Sequence, residues 1–418
     1  MSGTLRFTTA GSVDDGKSTL IGRLLLDAKG LLQDQVAAAT RASERRGAAL
    51  DLSLFTDGLT IEREQGITVD VAYRYFATPR RRFIIADTPG HEQYTRNMVT
   101  GSSNADLSVI LVDAVRGVST QTRRHAAIAA LLGIPEVVLA VNKMDAVGFS
   151  RAVFDEITAD FAAVAHSIGL RRYAAIPLSA LEGDMVVDRG DRLGWYEGPT
   201  LLEVLEGANV ERADGDLRFP VQRVSQSRFG PAKDLRGFQG RVESGRIAVG
   251  DSVVAWPSRL DARVAQIVGP DGALAEARAG QSVIVVLDRQ IDLARGDLLS
   301  HAHRPPVAAQ RVEASLAWLD REPLELGRRY LLKHTTQTVR ARVERLESRL
   351  DLVSLQPDTT VDSLGANDLG RVSITVARPI IADPYATNRA TGSFILIDEA
   401  TNQTVAGGII NGVRLQLS

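Results

Sequence analysis

The run Gly11-Ser12-Val13-Asp14-Asp15-Gly16-Lys17-Ser18 has the spacing G-x-x-x-x-G-K-[ST], which suits the binding of phosphate. Its glycines let the backbone fold back so that N–H groups point at an anion. A helix starting at Lys17 would add its partial positive charge. Lys17 would reach the β- and γ-phosphates, the Ser18 hydroxyl would bind Mg²⁺, and Thr19 would complete the nucleotide-binding run. Asp87-Thr88-Pro89-Gly90-His91 could serve the same phosphates. Asp87 would hold Mg²⁺ through water, the Gly90 N–H would meet the γ-phosphate, and His91 would orient an attacking water. Thr68, in Gly66-Ile67-Thr68-Val69-Asp70, would give the metal a second oxygen, with Thr60 as a rival. Val13 and Ile67 would form an apolar gate in front of His91. Lys17, Thr68, Gly90 and His91 are thus the residues expected to carry catalysis.

The base would be chosen by Asn142-Lys143-Met144-Asp145. A carboxylate at Asp145 accepts from guanine N1–H and from the exocyclic amine. Adenine lacks that donor pair, and the unpaired acceptor would discriminate by on the order of 10⁴-fold. Asn142 would tie this loop to the phosphate loop, and the Lys143 stem would cover the base. Ser179-Ala180-Leu181 would support guanine through backbone N–H groups. The expected ligands are therefore GTP and Mg²⁺.

These residues need a scaffold that places them at one edge. Leu5–Ala10 reads as a strand, and Arg82–Asp87, Leu107–Asp113 and Glu136–Asn142 are nearly unbroken apolar runs, as expected of a parallel sheet buried on both faces. Ser18–Leu26, Gln121–Leu132 and Ala152–His166 carry helical patterns between them. The alternation predicts an α/β P-loop domain with a mostly parallel, doubly wound sheet, in which Asp87, Asn142 and Asp145 lie at strand C-termini. Beyond residue 212 the pattern changes to short alternating segments punctuated by Gly-Asp, Ser-Gly and Pro-Asp-Gly turns, which suggests β-barrels. The expected division is 1–212 for the nucleotide domain, 213–305 for a first barrel and 306–418 for a second, with His301–Pro306 as the linker.

Several other features read as structural. Arg80-Arg81-Arg82 suits a solvated hairpin tip. Tyr73, Tyr75 and Phe76 suit core packing, as do Trp195 and Tyr196 ahead of a helix start at Gly198-Pro199-Thr200. His125, His166, His301, His303 and His334 show no mutual metal spacing. The 418 residues carry 49 basic and 51 acidic side chains, a formal charge of −2, so no dominant nucleic-acid footprint is expected. With no cysteine, disulfides and thiolate chemistry are excluded. No leader pattern or membrane-length apolar run is present, and a cytoplasmic location without membrane attachment is expected.

Taken together, the motifs resemble the translation-factor class of GTPases, specifically elongation-factor-like members with a G domain and two β-barrels. Within that class the chain is similar to the GTP-hydrolysing large-subunit family of bacterial sulfate adenylyltransferase. Besides the phosphate loop, the resemblance rests on Glu62-Arg63-Glu64-Gln65-Gly66-Ile67-Thr68-Val69-Asp70-Val71-Ala72-Tyr73-Arg74-Tyr75-Phe76 and on Asp87–Met98. Elongation factors usually carry His where this chain has Ser12 and Asp15. The resemblance implies a GTPase subunit in a heteromer whose smaller partner, an ATP-pyrophosphatase-type enzyme, makes adenosine 5′-phosphosulfate and pyrophosphate from ATP and sulfate. It places the ATP and sulfate sites on that partner. A second G-x-x-x-x-G-K-[ST] is absent, so no fused adenylylsulfate kinase is expected. A GTPase delivering aminoacyl-tRNA, or a regulatory GTP-binding switch, would share the same nucleotide site.

Overall fold

A computed structural model describes residues 3–30, 34, 36–37, 40–41, 43, 51–55, 71–91, 95–170, 172–209, 215–226 and 236–414. The chain divides into two compact units, Met1–Val210 and Glu211–Ser418 less the turn Asp351–Gln356.

The first unit is built on six strands: β1 (Leu5–Ala10), β2 (Ala72–Ala77), β3 (Arg82–Asp87), β4 (Leu107–Asp113), β5 (Glu136–Asn142) and β6 (Tyr173–Pro177). They form one sheet in the order β2-β3-β1-β4-β5-β6. Only β2 runs antiparallel to its neighbour. Every residue of β4 is buried, as a strand covered on both faces requires. The fully described α-helices of this unit are α1 (Lys17–Asp27), α2 (Thr95–Ser102), α3 (Thr120–Leu131), α4 (Arg151–Ser167) and α5 (Leu201–Gly207). From β1 the sheet grows towards β3 on one side and β4 on the other. A crevice therefore opens at the carboxyl end of β1, where open α/β sheets bind ligands. Phe7, Ile85, Val109 and Leu139 fill the sheet's core. Each such side chain contributes about 1.5–3 kcal/mol by leaving water.

The four expected strands form with those bounds, and α1, α3 and α4 begin and end within one residue of the helical patterns. Two readings need correction. Arg81 is not solvated but only 5% exposed. Its Nη1 donates to the carbonyls of Leu205, Glu206 and Ala208, and its Nε to that of Gly3. A guanidinium fits there because the last carbonyls of a helix lack intrahelical donors, and α5 ends at those residues. Tyr73 and Tyr75 are exposed and only Phe76 is core, stacked on Phe83. The period of two along β2 sends alternate side chains to opposite faces, and only one of them is packed. Trp195 and Tyr196 do pack, with the indole donating to the Phe149 carbonyl and the phenol to that of Ala175. The helix start at Thr200 is a reciprocal cap with Glu203.

The second unit holds two closed six-stranded barrels. In the first ring, strands Ser252–Trp256, Leu298–His301, Phe219–Gln226, Arg236–Arg241, Ser282–Leu287 and Leu260–Gly269 follow one another, and the last pairs back to the first. In the second, Arg329–His334, Ser393–Asp398, Thr404–Arg414, Val307–Trp318, Leu369–Ala382 and Gln337–Leu350 close in the same way. Phe219, Phe238, Val253 and Leu299 fill the first barrel, and Trp318, Tyr330, Ile374 and Ile410 the second. Trp256, Leu298 and Ile381 pack together between them. Beside this contact lies a buried bidentate ion pair, with Arg218 Nε and Nη2 each 2.9 Å from a carboxylate oxygen of Asp383. The Thr391 hydroxyl donates to the same carboxylate at 2.6 Å.

Candidate nucleotide site

The phosphate loop connects β1 to α1. Asp14 (φ 69°) and Gly16 (φ 91°) both adopt the left-handed conformation. A side chain at Gly16 would also run into the Asn142 amide, so only glycine suits that position. Asp15 is buried and accepts from the Ser12 N–H at 2.6 Å, which closes the loop on itself. Burial pushes the Asp15 carboxyl above its ordinary value, against the pull of that hydrogen bond and of Lys17. The Lys17 ammonium sits inside the loop, 2.8 Å from the carbonyls of both Gly11 and Ser12. Burial lowers its pKa, while Asp87, Asp15 and Asp14 oppose the shift. Ser18 and Thr19 follow in the first turn of α1.

Asp87 ends β3 and is 2% exposed, with the Thr9 hydroxyl 3.4 Å from its Oδ1. The Thr88 hydroxyl donates to the Thr9 carbonyl at 2.6 Å and pins the following turn to β1. Pro89 and Gly90 are buried, and a side chain on Gly90 would collide with the Lys17 ammonium and the Gly11 carbonyl. The half-buried His91 follows directly. Ser18 and Asp87, two of the three residues expected at the metal, thus lie on adjoining segments after β1 and β3. Thr68 falls outside the described residues, as do Thr60 and Ile67.

At the end expected to hold the base, Asn142 bridges two loops. Its Nδ2 donates to the Asp15 carbonyl at 2.7 Å, and its Oδ1 accepts from the Ala180 N–H at 3.0 Å. Asp145 is held by the Ser179 hydroxyl at 2.5 Å. Lys143 is left-handed (φ 60°), and its ammonium lies 2.8 Å from Asp113. Burial opposes ionisation of Asp113, yet the Lys143 and Val115 contacts hold its carboxyl below the ordinary range. Met144 is buried, its N–H bonded to the Leu178 carbonyl at 3.3 Å. Leu181 is exposed, and Arg23 of α1 donates to the carbonyls of Ala180 and Leu181.

Sequence reasoning overlooked the N-terminus of α3. Ser119 caps that helix through the Thr122 N–H, and its hydroxyl lies 3.2 Å from that of Ser12. Gln121 Nε2 lies 3.4 Å from the Gly90 carbonyl and 3.0 Å from His125 Nε2. His125 is buried. Desolvation, aided by Lys17 and Arg124, pushes its imidazole down to about 3. Ser119-x-x-Thr122 was legible as a cap, and Gln121 and His125 share one helix face by their i,i+4 spacing. Nothing in the order of residues revealed that this face meets Gly90.

Residues 3–210 match the family described as the elongation factor Tu GTP binding domain, and residues 311–411 match GTP-eEF1A C-terminal domain-like. The bifunctional enzyme CysN/CysC of Mycobacterium tuberculosis is 51% identical over 414 residues, which span 98% of this chain and 67% of that protein. Sulfate adenylyltransferase subunit 1 of Bacteroides fragilis is 50% identical over 411 residues, 97% of this chain and 85% of the relative. The protein of the same description from Cellvibrio japonicus is 47% identical, with 97% and 86% covered.

Proposed function

The chain belongs to the sulfate adenylyltransferase subunit 1 family, and on that premise we propose that it is a cytoplasmic GTPase that drives sulfate activation on a smaller partner subunit. The partner would carry out ATP + sulfate → adenosine 5′-phosphosulfate + pyrophosphate. That reaction is uphill because the phosphate–sulfate anhydride is easily broken, and the chain would supply the free energy of GTP hydrolysis. The observation that carries this reading is identity near 50% across almost the whole chain, both barrels included.

The local geometry supports GTP as the nucleotide. Lys17 places a buried cation beside a turn with left-handed residues at Asp14 and Gly16, the kind of backbone that can turn N–H groups toward an anion. Asn142 joins that turn to the loop bearing Asp145, so base and phosphates would be held by one connected frame. Ser18 and Asp87 present only oxygen atoms, the donor set that Mg²⁺ prefers, and Thr68 would add a third. Ser18, Asp87 and Thr68 would hold the ion, and its charge would offset the negative charge that develops in phosphoryl transfer. Gly90 would read the γ-phosphate through its N–H while His91 orients the attacking water. Coupling requires two conformations that contact the partner differently, and segments 60–70 and 87–100 are the parts proposed to differ.

The test combines the chain with a candidate partner, ATP and sulfate, with and without GTP. Sulfate-dependent pyrophosphate release that rises with GTP is expected. No response to GTP, or calorimetry showing ATP bound more tightly than GTP, overturns the assignment.

A further inference from the structure

The barrel unit contains a cleft of about 350 Å³ that no part of the proposed GTPase cycle uses. One wall comes from the first barrel, with Gln222, Arg241, Glu243 and Arg295; the other from the second, with Lys333, Thr335 and Thr336. Three cations thus face one carboxylate. Arg241 lies 3.8 Å from Glu243. Arg295 is steadied by the Gln222 carbonyl at 3.2 Å. Among the described residues, no ion pair is seen for Arg295 or Lys333.

The second wall is the tip of a tight hairpin. His334 and Gln337 pair across it, leaving Thr335-Thr336 as a two-residue loop. Thr335 adopts φ +48°, a conformation that such loops normally give to glycine or asparagine and that a β-branched residue enters only under strain. The Thr336 hydroxyl oxygen is buried and has no hydrogen-bond partner. Strain and an unsatisfied hydroxyl at one cleft point to a bound group. The walls are well supported. His334, at the hairpin root, is buried and contacts the Thr391 carbonyl at 2.7 Å, and Thr391 in turn binds the Asp383 carboxylate that Arg218 clamps. Such support holds a recognition site in shape before its ligand arrives.

We propose that this cleft binds a dianionic tetrahedral oxyanion, sulfate or phosphate, free or carried on a small molecule, through Arg241, Arg295, Lys333 and the Thr335 and Thr336 hydroxyls. Two unpaired cations supply the charge, and hydroxyl donors satisfy oxygen atoms that cations do not reach. The cleft is larger than a bare oxyanion needs, which leaves room for an ester substituent. Among the described residues no aromatic side chain lines it, so the proposed recognition rests on charge and hydroxyl groups rather than on a stacked base.

The test is isothermal titration of inorganic phosphate into the full chain saturated with GDP and Mg²⁺, against sodium chloride at matched ionic strength. Binding is expected, and the double variant Arg295→Gln/Lys333→Gln should weaken it by roughly tenfold to a hundredfold while GDP affinity is unchanged. Thr335→Gly should move two readouts in opposite directions, raising the melting temperature as strain is relieved and weakening phosphate binding. Titration with AMP separates the sources: tighter binding than phosphate indicates a carried group, equal binding a free oxyanion. No heat beyond the chloride control, or affinity unchanged in the double variant, overturns the site. Neither result bears on GTP hydrolysis, which is read separately.

Discussion

Two histidines at the nucleotide crevice lead to different expectations. His91 follows the buried Gly90, and its proposed work is to orient water. His91→Ala should therefore keep GTP affinity and lose about 10²-fold or more in turnover, as measured by phosphate release under saturating GTP. Unchanged turnover would remove the role. His125 is buried and held neutral, its pKa near 3. In the unfolded chain the same imidazole takes up a proton near 6.5. Stability from its neutral burial is thus fully present above pH 6.5 and declines as pH falls towards 3. At pH 5 the loss is about 2 kcal/mol. Urea unfolding at pH 7.5 and pH 5 should show a smaller acid loss for His125→Gln than for the natural chain; equal losses would contradict burial of a neutral ring. The sequence singles out His91 because it sits in a run of residues expected to meet phosphate. His125 was passed over because its importance comes from the packing of α3, which no local spacing encodes.

At the level of elements, strands were far more legible than the surfaces between them. β3, β4 and β5 are nearly unbroken apolar runs, and burial on both faces leaves little else for such runs to do. The loops at their carboxyl ends carry short motifs whose residue types follow the chemistry proposed for them. Arg81 shows where that legibility ends. Three arginines in a row resemble solvent-facing charge, and only the fold reveals that one of them caps α5, more than a hundred residues away. Arg81→Ala should cost about 1–3 kcal/mol, because several buried carbonyls lose their donor at once. Thermal unfolding would read this, and an unaltered melting temperature would show that water replaces the guanidinium. Asn142 makes the complementary case. Its place at the end of β5 suits a tie between loops, and its amide reaches both Asp15 and Ala180. Asn142→Ala should weaken GTP and GDP binding alike by roughly tenfold or more, since it loosens base and phosphate loops together. A loss confined to GTP would place its effect at the γ-phosphate instead.

At the scale of the molecule, turn spacing announced barrels after residue 212 but not the ring order, which depends on pairings between distant strands. Nor did it announce the buried Arg218–Asp383 pair, whose partners are 165 residues apart. Asp383→Ala should destabilise the barrel unit by about 3–5 kcal/mol because it strands a buried guanidinium. The double variant Arg218→Met/Asp383→Leu should recover most of that loss in denaturant unfolding; failure to recover would mean that the pair contributes more than charge neutralisation. Ring closure has its own kinetic consequence. A sheet with two ends can open strand by strand from its margins, and the G-domain sheet ends at β2 and β6. A closed ring has no margin, so releasing any one strand breaks two ladders together. Backbone amides of each barrel should therefore exchange with deuterium as one cooperative block, while those of β2 exchange earlier than those of the central β1 and β4.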